Sequence, residues 1–291
     1  MSGFFNKTVA DTLVRVAALF TSVLLSLSLM MNKDLQSTDE VTYLGSNAYA
    51  GIDALTMGQG ITTDGEYFYT SGAVTTFQWG ILGKVDIATG EIVMRNTYAI
   101  PAELREKGSD HIGGISYYEG KIYAAIEGEP YEHNFIAIYD AETLEYTGVY
   151  YELEQENHVD GVPWVAVDAA NGYFYTGEWN HAVRLNVYDL ETGVFSHYLD
   201  LVGGELDRVQ GCEVFDGVLF ASSDDGDATL NVYAVNLATG EVSVAFTRQA
   251  SRADIEAEDL TITQREDGKP VFHVLDFDKR VCVFVRHFVL P

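Results

Sequence analysis

From residue 41 onward the chain alternates apolar and polar side chains at a period of two, in short runs rich in Tyr, Phe, Val and Ile. That period belongs to β-strands, whose successive side chains point to opposite faces. Turn residues divide the runs into hairpins: GITTDGEYFYTS, GISYYEGKIYAAI, WVAVDAANGYFYTGE, CEVFDGVLFASS and LTITQREDGKPVFHVLD. Their turn glycines are Gly65, Gly120, Gly172, Gly217 and Gly268. Four hairpins are followed by a strand that ends in Asp or Asn with a threonine three residues on: VDIATGEIV, YDAETLEYTGV, YDLETGVFSHY and VNLATGEVSVAF. Thr89, Thr143, Thr192 and Thr239 recur about every 50 residues, close to the period of a four-stranded propeller blade. Only IPAELREKG, at 100–108, reads as a helical turn.

One blade cannot bury both faces alone, so stacked repeats must supply the core. The pattern predicts an all-β fold over residues 41–291, a five-bladed β-propeller. The last repeat is one strand short and ends at Arg286–Leu290, while VTYLGSNAY at 41–49 is left over upstream. The ring is therefore expected to close by lending this N-terminal strand to the last blade.

Ahead of the repeats the pattern changes. Lys7 and Arg15 precede an uncharged apolar run, VAALFTSVLLSLSLMMN, closed by Lys33. A bilayer-crossing helix needs roughly 17–25 apolar residues, so the run sits at the short end. Residues 1–33 are expected to form an apolar targeting helix, a signal peptide or a membrane anchor, with 34–40 as a polar spacer. Ser26 and Ser28 are small enough to flank a cleavage site, and no cysteine follows to carry a lipid. The protein is expected to be extracytoplasmic, secreted or anchored, touching membrane only through this segment.

Charge narrows the partners. Asp and Glu total 44 against 17 Lys and Arg, a formal net charge of −27. Phosphate backbones are bound by clustered basic side chains, so nucleic acid is not an expected partner. An apolar share of 47% is enough for a core and excludes general disorder. Cys212 and Cys282 lie in apolar strands and are expected as two separate buried thiols rather than a disulfide. No phosphate-cradling glycine loop, HExxH helix, CxxC pair or GxSxG elbow is present.

Inner strands line the channel of a propeller, and their first residues open at one face. Aligned, they place Gln59, Gly113, Val162, Gln210 and Glu258 in equivalent positions, with Met57, His111, Asp160, Arg208 and Glu256 two residues earlier. The expected ligand-binding set at this mouth is Gln59, His111, Asp160, Trp164, Arg208, Gln210 and Glu258. Carboxylates, amides and imidazole in a ring suit a cation, a sugar or a peptide amide, and a divalent cation in the channel is one candidate cofactor. His111, Asp160 and Glu258 are the catalytic candidates, with His111 a general base beside Asp110. Structural roles compete: Gln59 and Gln210 could serve neighbouring backbones, and Glu258 or Asp259 could pair with Arg208 or Arg252. His158 carries the same ambiguity. SSDDGDAT, at 222–229, reads as a solvated turn rather than a calcium loop, because the closing glutamate is absent.

The stretch QGITTDGEYFYTSG…LGKVDIATGEIV, starting at Gln59, resembles the first blade of plant- and bacterial-type glutaminyl-peptide cyclotransferases. GGISYYEGKIYAAIE…AIYDAETLEYTG and VQGCEVFDGVLFAS resemble later blades, and the likeness covers most of residues 41–291. The resemblance implies the same five-bladed fold and, in the family, cyclisation assisted by carboxyl groups. One family glutamate follows the tyrosine of the second strand, where this chain has Thr70 and Ser71 after Tyr69. Another acid, two residues before Glu213, is replaced by Gly211. The sequence thus predicts a non-catalytic binder of a small molecule, glycan or peptide. A cyclase-like or metal-dependent lactonase-like enzyme and a protein-interaction scaffold remain as alternatives.

Overall fold

The structure is a computed structural model that describes residues 40–74, 77, 79–224, 229–249, 255–278 and 282–291, together with 19, 22 and 23. Apart from residues 19, 22 and 23, the segment expected to act in targeting lies outside the described residues, as does the centre of the SSDDGDAT stretch. Among the described residues no helix is long and apolar enough to cross a membrane.

Five four-stranded antiparallel sheets make up the fold. Blade 1 holds β2 (Ile61–Thr63), β3 (Tyr67–Val74), β4 (Trp79–Asp86) and β5 (Ile92–Asn96). Blade 2 holds β6 (His111–Tyr118), β7 (Lys121–Glu127), β8 (Asn134–Asp140) and β9 (Tyr146–Leu153). Blade 3 holds β10 (Ala166–Asp168), β11 (Tyr173–Thr176), β12 (Arg184–Asp189) and β13 (Phe195–Asp200). Blade 4 holds β14 (Val209–Phe215), β15 (Val218–Ser223), β16 (Thr229–Asn236) and β17 (Val242–Gln249). Blade 5 runs β18 (Ile255–Gln264), β19 (Pro270–Asp278), β20 (Cys282–Val289) and then β1 (Thr42–Ala50), the N-terminal strand. Residues Thr42 to Ala50 pair antiparallel with Val289 to Cys282, so the leftover strand closes the ring as expected. Single helical turns occur at Ile52–Leu55 (α1) and Ala102–Arg105 (α2), the second inside IPAELREKG.

Local chemistry fixes each repeat. All five hairpin glycines have positive φ, between 72° and 93°, a backbone region that L-residues disfavour. In blades 1 to 4 the Asp/Asn-x-x-Thr turn between the third and fourth strands closes on itself. Asp86 Oδ1 accepts from the Thr89 amide at 2.8 Å and hydroxyl at 2.9 Å, and Asp140 and Asp189 repeat the arrangement with Thr143 and Thr192. These bonds favour the ionised form and hold the three carboxyls below the usual range.

Among the described residues, the strand alternation feeds a large apolar cluster between each pair of neighbouring blades. On β7, Ile122, Ala124 and Ile126 face blade 1 with Tyr69 and Leu82. Tyr123 and Ala125 on the same strand face blade 3 with Phe174 and Tyr188. Blades 3 and 4 meet through Tyr175, Leu185, Cys212 and Leu219, and blades 4 and 5 through Val232, Phe246, Phe272 and Phe288. Leu275, Val283 and Val285 of blade 5 meet Ile61 and Phe68 of blade 1, completing the circuit. Each buried Leu, Ile, Val or Phe contributes about 1.5–3 kcal/mol, so the blade interfaces carry most of the stability. Cys212 and Cys282 are both buried and unbridged.

Candidate functional site: the channel mouth

The ring converges on Asp259, near the start of β18. Its Oδ2 accepts the amides of Ile61 in blade 1, at 3.0 Å, and Ile115 in blade 2, at 3.1 Å. Oδ1 accepts the Leu260 amide at 2.8 Å. On the blade 4 side, a Cβ at Gly211 would overlap this carboxyl and the Asp259 Cα. Burial pushes the Asp259 pKa well up, against the three amides that favour its anion. Gly113 and Gly114 likewise leave room for Pro163 and Trp164 of the next blade. One carboxyl therefore serves three blades, and the missing side chain at Gly211 is the space it needs.

Above it opens a cavity of about 280 Å³. Gln59, His111, Asp160, Gln210 and Glu258, one from each blade or the loop leading into it, all line it. β6, β14 and β18 are bulged, between Ile112 and Ile115, Val209 and Gly211, and Ala257 and Leu260, so that the lining residues Gln210 and Glu258 lie within bulges. A bulge re-aims side chains that strict alternation would turn away. His111 joins Gln59 directly, its Nε2 lying 2.5 Å from Gln59 Oε1. Gln59 also donates from Nε2 to the Gly58 carbonyl at 2.8 Å. The other ring nitrogen, Nδ1, is 3.4 Å from Glu127 Oε1, so Glu127 rather than Asp110 faces the imidazole.

Glu258 is 2% exposed. Burial first, then the nearby Glu256, Asp224, Asp259 and Asp276 carboxyls, push its pKa well up. Asp160 is fixed from below: Oδ1 accepts the Trp179 amide at 3.2 Å, and Oδ2 accepts the Asn180 amide at 2.9 Å and its side-chain Nδ2 at 3.0 Å.

Two expected residues do not reach the mouth. Trp164 is 1% exposed and sits in the cluster between blades 3 and 4. Arg208 is drawn to Asp224, with Nη2 2.8 Å from Oδ2, rather than to Glu258 or Asp259. His158 is structural: fully buried, it lies 3.0 Å from the Glu154 carbonyl through Nδ1 and 2.8 Å from Thr176 Oγ1 through Nε2. Burial holds its pKa below the usual value.

Sequence reasoning missed Glu127, Tyr131 and Phe277, which line the cavity together with Trp179. Two had a readable signal. In an antiparallel hairpin the end of the second strand returns beside the start of the first, and here His111 pairs with Glu127 and Glu256 with Phe277. A second cavity of about 380 Å³ adjoins the mouth, sharing His111, Glu127 and Tyr131 and adding Asp110, Gly128 and Glu129. Burial raises the Asp110 pKa, helped by Glu129 and Glu127 and opposed by His111. Among the described residues no group of three or more His, Cys, Asp or Glu side chains is arranged to hold a metal ion.

A fold and mouth of this kind define a five-bladed β-propeller with an acidic channel entrance. The chain is similar in structure to a glutaminyl cyclase from Myxococcus xanthus, with a TM-score of 0.61 and 11% identity over 86% of this chain and 97% of that one. It is also similar to a β-xylosidase, RS223, with a TM-score of 0.53 and 12% identity over 87% of this chain and 96% of that one. At these identities the likeness is one of fold. No protein-family model and no curated protein sequence matches the chain. The fold resemblance carried by the blade motifs holds. Ser71 is fully buried and donates to the Gly113 carbonyl at 2.6 Å, a tie between blades 1 and 2.

Proposed function

We propose that the protein is an exported propeller that binds a small molecule, glycan or peptide at its channel mouth without transforming it. The observation that supports this reading most is the convergence of Gln59, His111, Asp160, Gln210 and Glu258 from separate blades on one cavity of about 280 Å³. Ligand sites are concave and carry a few polar groups on an apolar wall, here supplied by Pro163, Trp179 and Phe277. Export rests on the apolar run at 16–32 and its basic flanks.

A thermal-shift screen of sugars, peptides and small metabolites tests the reading. At least one compound is expected to raise the melting temperature, and Glu258→Gln and Gln210→Ala are each expected to remove that shift. A shift that persists undiminished in both variants would place binding elsewhere.

A second reading, acid–base chemistry of the cyclase-like or lactonase-like kind, draws on Glu258. A buried carboxyl that lines a pocket and whose pKa is pushed well up is suited to act as a general acid. His111 and Asp160 would then assist it. Turnover of a glutaminyl peptide or a lactone that is lost in Glu258→Gln would favour this reading over simple binding.

A further inference from the structure

Resting on the mouth being a ligand site, we infer that its occupant is an aliphatic di- or polyamine, held by carboxyl groups and aromatic rings along the two adjoining cavities. Charge is the first argument. Glu127, Asp160 and Glu258 line the inner cavity, and Asp110 and Glu129 line the outer one. No Lys or Arg is among the described residues that line either. Three arginines of blades 4 and 5 are engaged with acids: Arg208 with Asp224, and Arg248 and Arg286 with Asp276. An anion would be repelled, and a neutral sugar would leave the cavity acids without a counter-charge.

The second argument is independent of the acids. Tyr131, Trp179 and Phe277 put aromatic rings into the same wall, and ring faces attract cations. Trp179 already has one such neighbour, the Arg208 guanidinium, 5.4 Å from its ring centre. Glu258 adds a third observation: it is 2% exposed, lines the cavity, and receives no hydrogen bond from a described residue. Its carboxyl is left for whatever enters. The cavities of about 280 and 380 Å³ adjoin at His111, Glu127 and Tyr131, and each has further acids in its lining. That arrangement suits a flexible chain with two or more ammonium groups better than a compact monoamine.

A linked proton follows. Glu258 faces Glu256 and Asp259 from its own strand, Asp224 from blade 4, Asp276 from β19, and His111, Glu127 and Asp160 across the cavity. Burial and these acids favour its protonated form in the empty mouth. An arriving ammonium favours the anion, so binding releases a proton and the affinity rises with pH.

Isothermal titration calorimetry on the full chain, with spermidine and 1,4-diaminobutane as probes, tests this. Salt at about 0.15 M shortens the Debye length to about 8 Å and suppresses loose association with the acidic surface. The expected result is saturable one-to-one binding that tightens as pH rises, with proton release read from buffers of different ionisation enthalpy. Glu258→Gln and Trp179→Leu should each weaken it by about tenfold or more. Glu142→Gln, on the exposed Asp140–Thr143 turn, should leave it unchanged. Heats that fall equally in all three variants would overturn the proposal, since they would report surface charge alone. A neutral disaccharide or peptide that binds in a Glu258-dependent manner, with no response to either amine, would overturn the amine assignment and keep the ligand-binding mouth. No response to any of these probes would count against both.

Discussion

Asp276→Ala is expected to destabilise the protein by about 3–5 kcal/mol, the largest effect expected of any single side-chain truncation. Asp276, on β19, is 1% exposed and accepts Arg248 Nη1 at 2.9 and 2.8 Å. It also accepts Arg286 Nε at 2.5 Å. Arg248 comes from the outer strand of blade 4 and Arg286 from β20, so one carboxylate joins the closing blade to its neighbour. Both guanidiniums are 2% exposed, and burial pulls the Arg248 pKa below its usual value. A guanidinium still cannot shed its proton at neutral pH, so removing Asp276 leaves buried positive charge rather than a neutral pair. Arg248 Nε and Nη2 are already buried without partners, which leaves little local capacity to compensate. Urea unfolding monitored by tryptophan fluorescence measures the change. Arg248→Met, which removes charge and keeps volume, should cost much less. A loss below about 1 kcal/mol for Asp276→Ala would mean that the trio is hydrated rather than buried.

Gly211→Ala is the second large effect, at about 3 kcal/mol or more. Its new methyl would overlap the Asp259 carboxyl and Cα, neither of which can retreat from the axis. Asp259→Ala removes the acceptor of three amides, those of Ile61, Ile115 and Leu260. Each orphaned buried donor costs about 1–3 kcal/mol before any relaxation or entry of water. In the double variant the clash with the carboxyl is gone while the methyl still presses on the backbone of residue 259, so the combined loss should fall short of the sum. Thermal denaturation of the two single variants and the pair reads this coupling, and strict additivity would contradict direct packing of the two residues. Asp259, arriving from blade 5, occupies the space that a side chain at position 211 would need.

Much of the architecture was legible because the signals are local. A positive-φ glycine and an Asp-x-x-Thr turn are each settled within a few residues, and they recur in register around the ring. Ring closure was legible by subtraction, since one strand was left over at the start and one was missing at the end. The mouth was legible only in outline. Residues at the start of inner strands do converge, but the lining residues Gln210 and Glu258 lie within bulges of β14 and β18. Trp164 and Arg208 occupy the right chain positions yet point into a blade interface and toward Asp224. Asp259 was unreadable, because its decisive partners lie 198 and 144 residues away in sequence.

Carbon-detected NMR titration of the side-chain carboxyls tests most directly whether five inner strands close around one shared, dry axis. Glu213, which Thr261 Oγ1 approaches at 3.2 Å, is held between inner strands, and burial pushes its pKa up to about 8. Its resonance is expected to shift with a midpoint near that value, with Glu258 also titrating above the usual carboxylate range. Both groups titrating with the surface carboxylates, near about 4, would show that the strands do not enclose them.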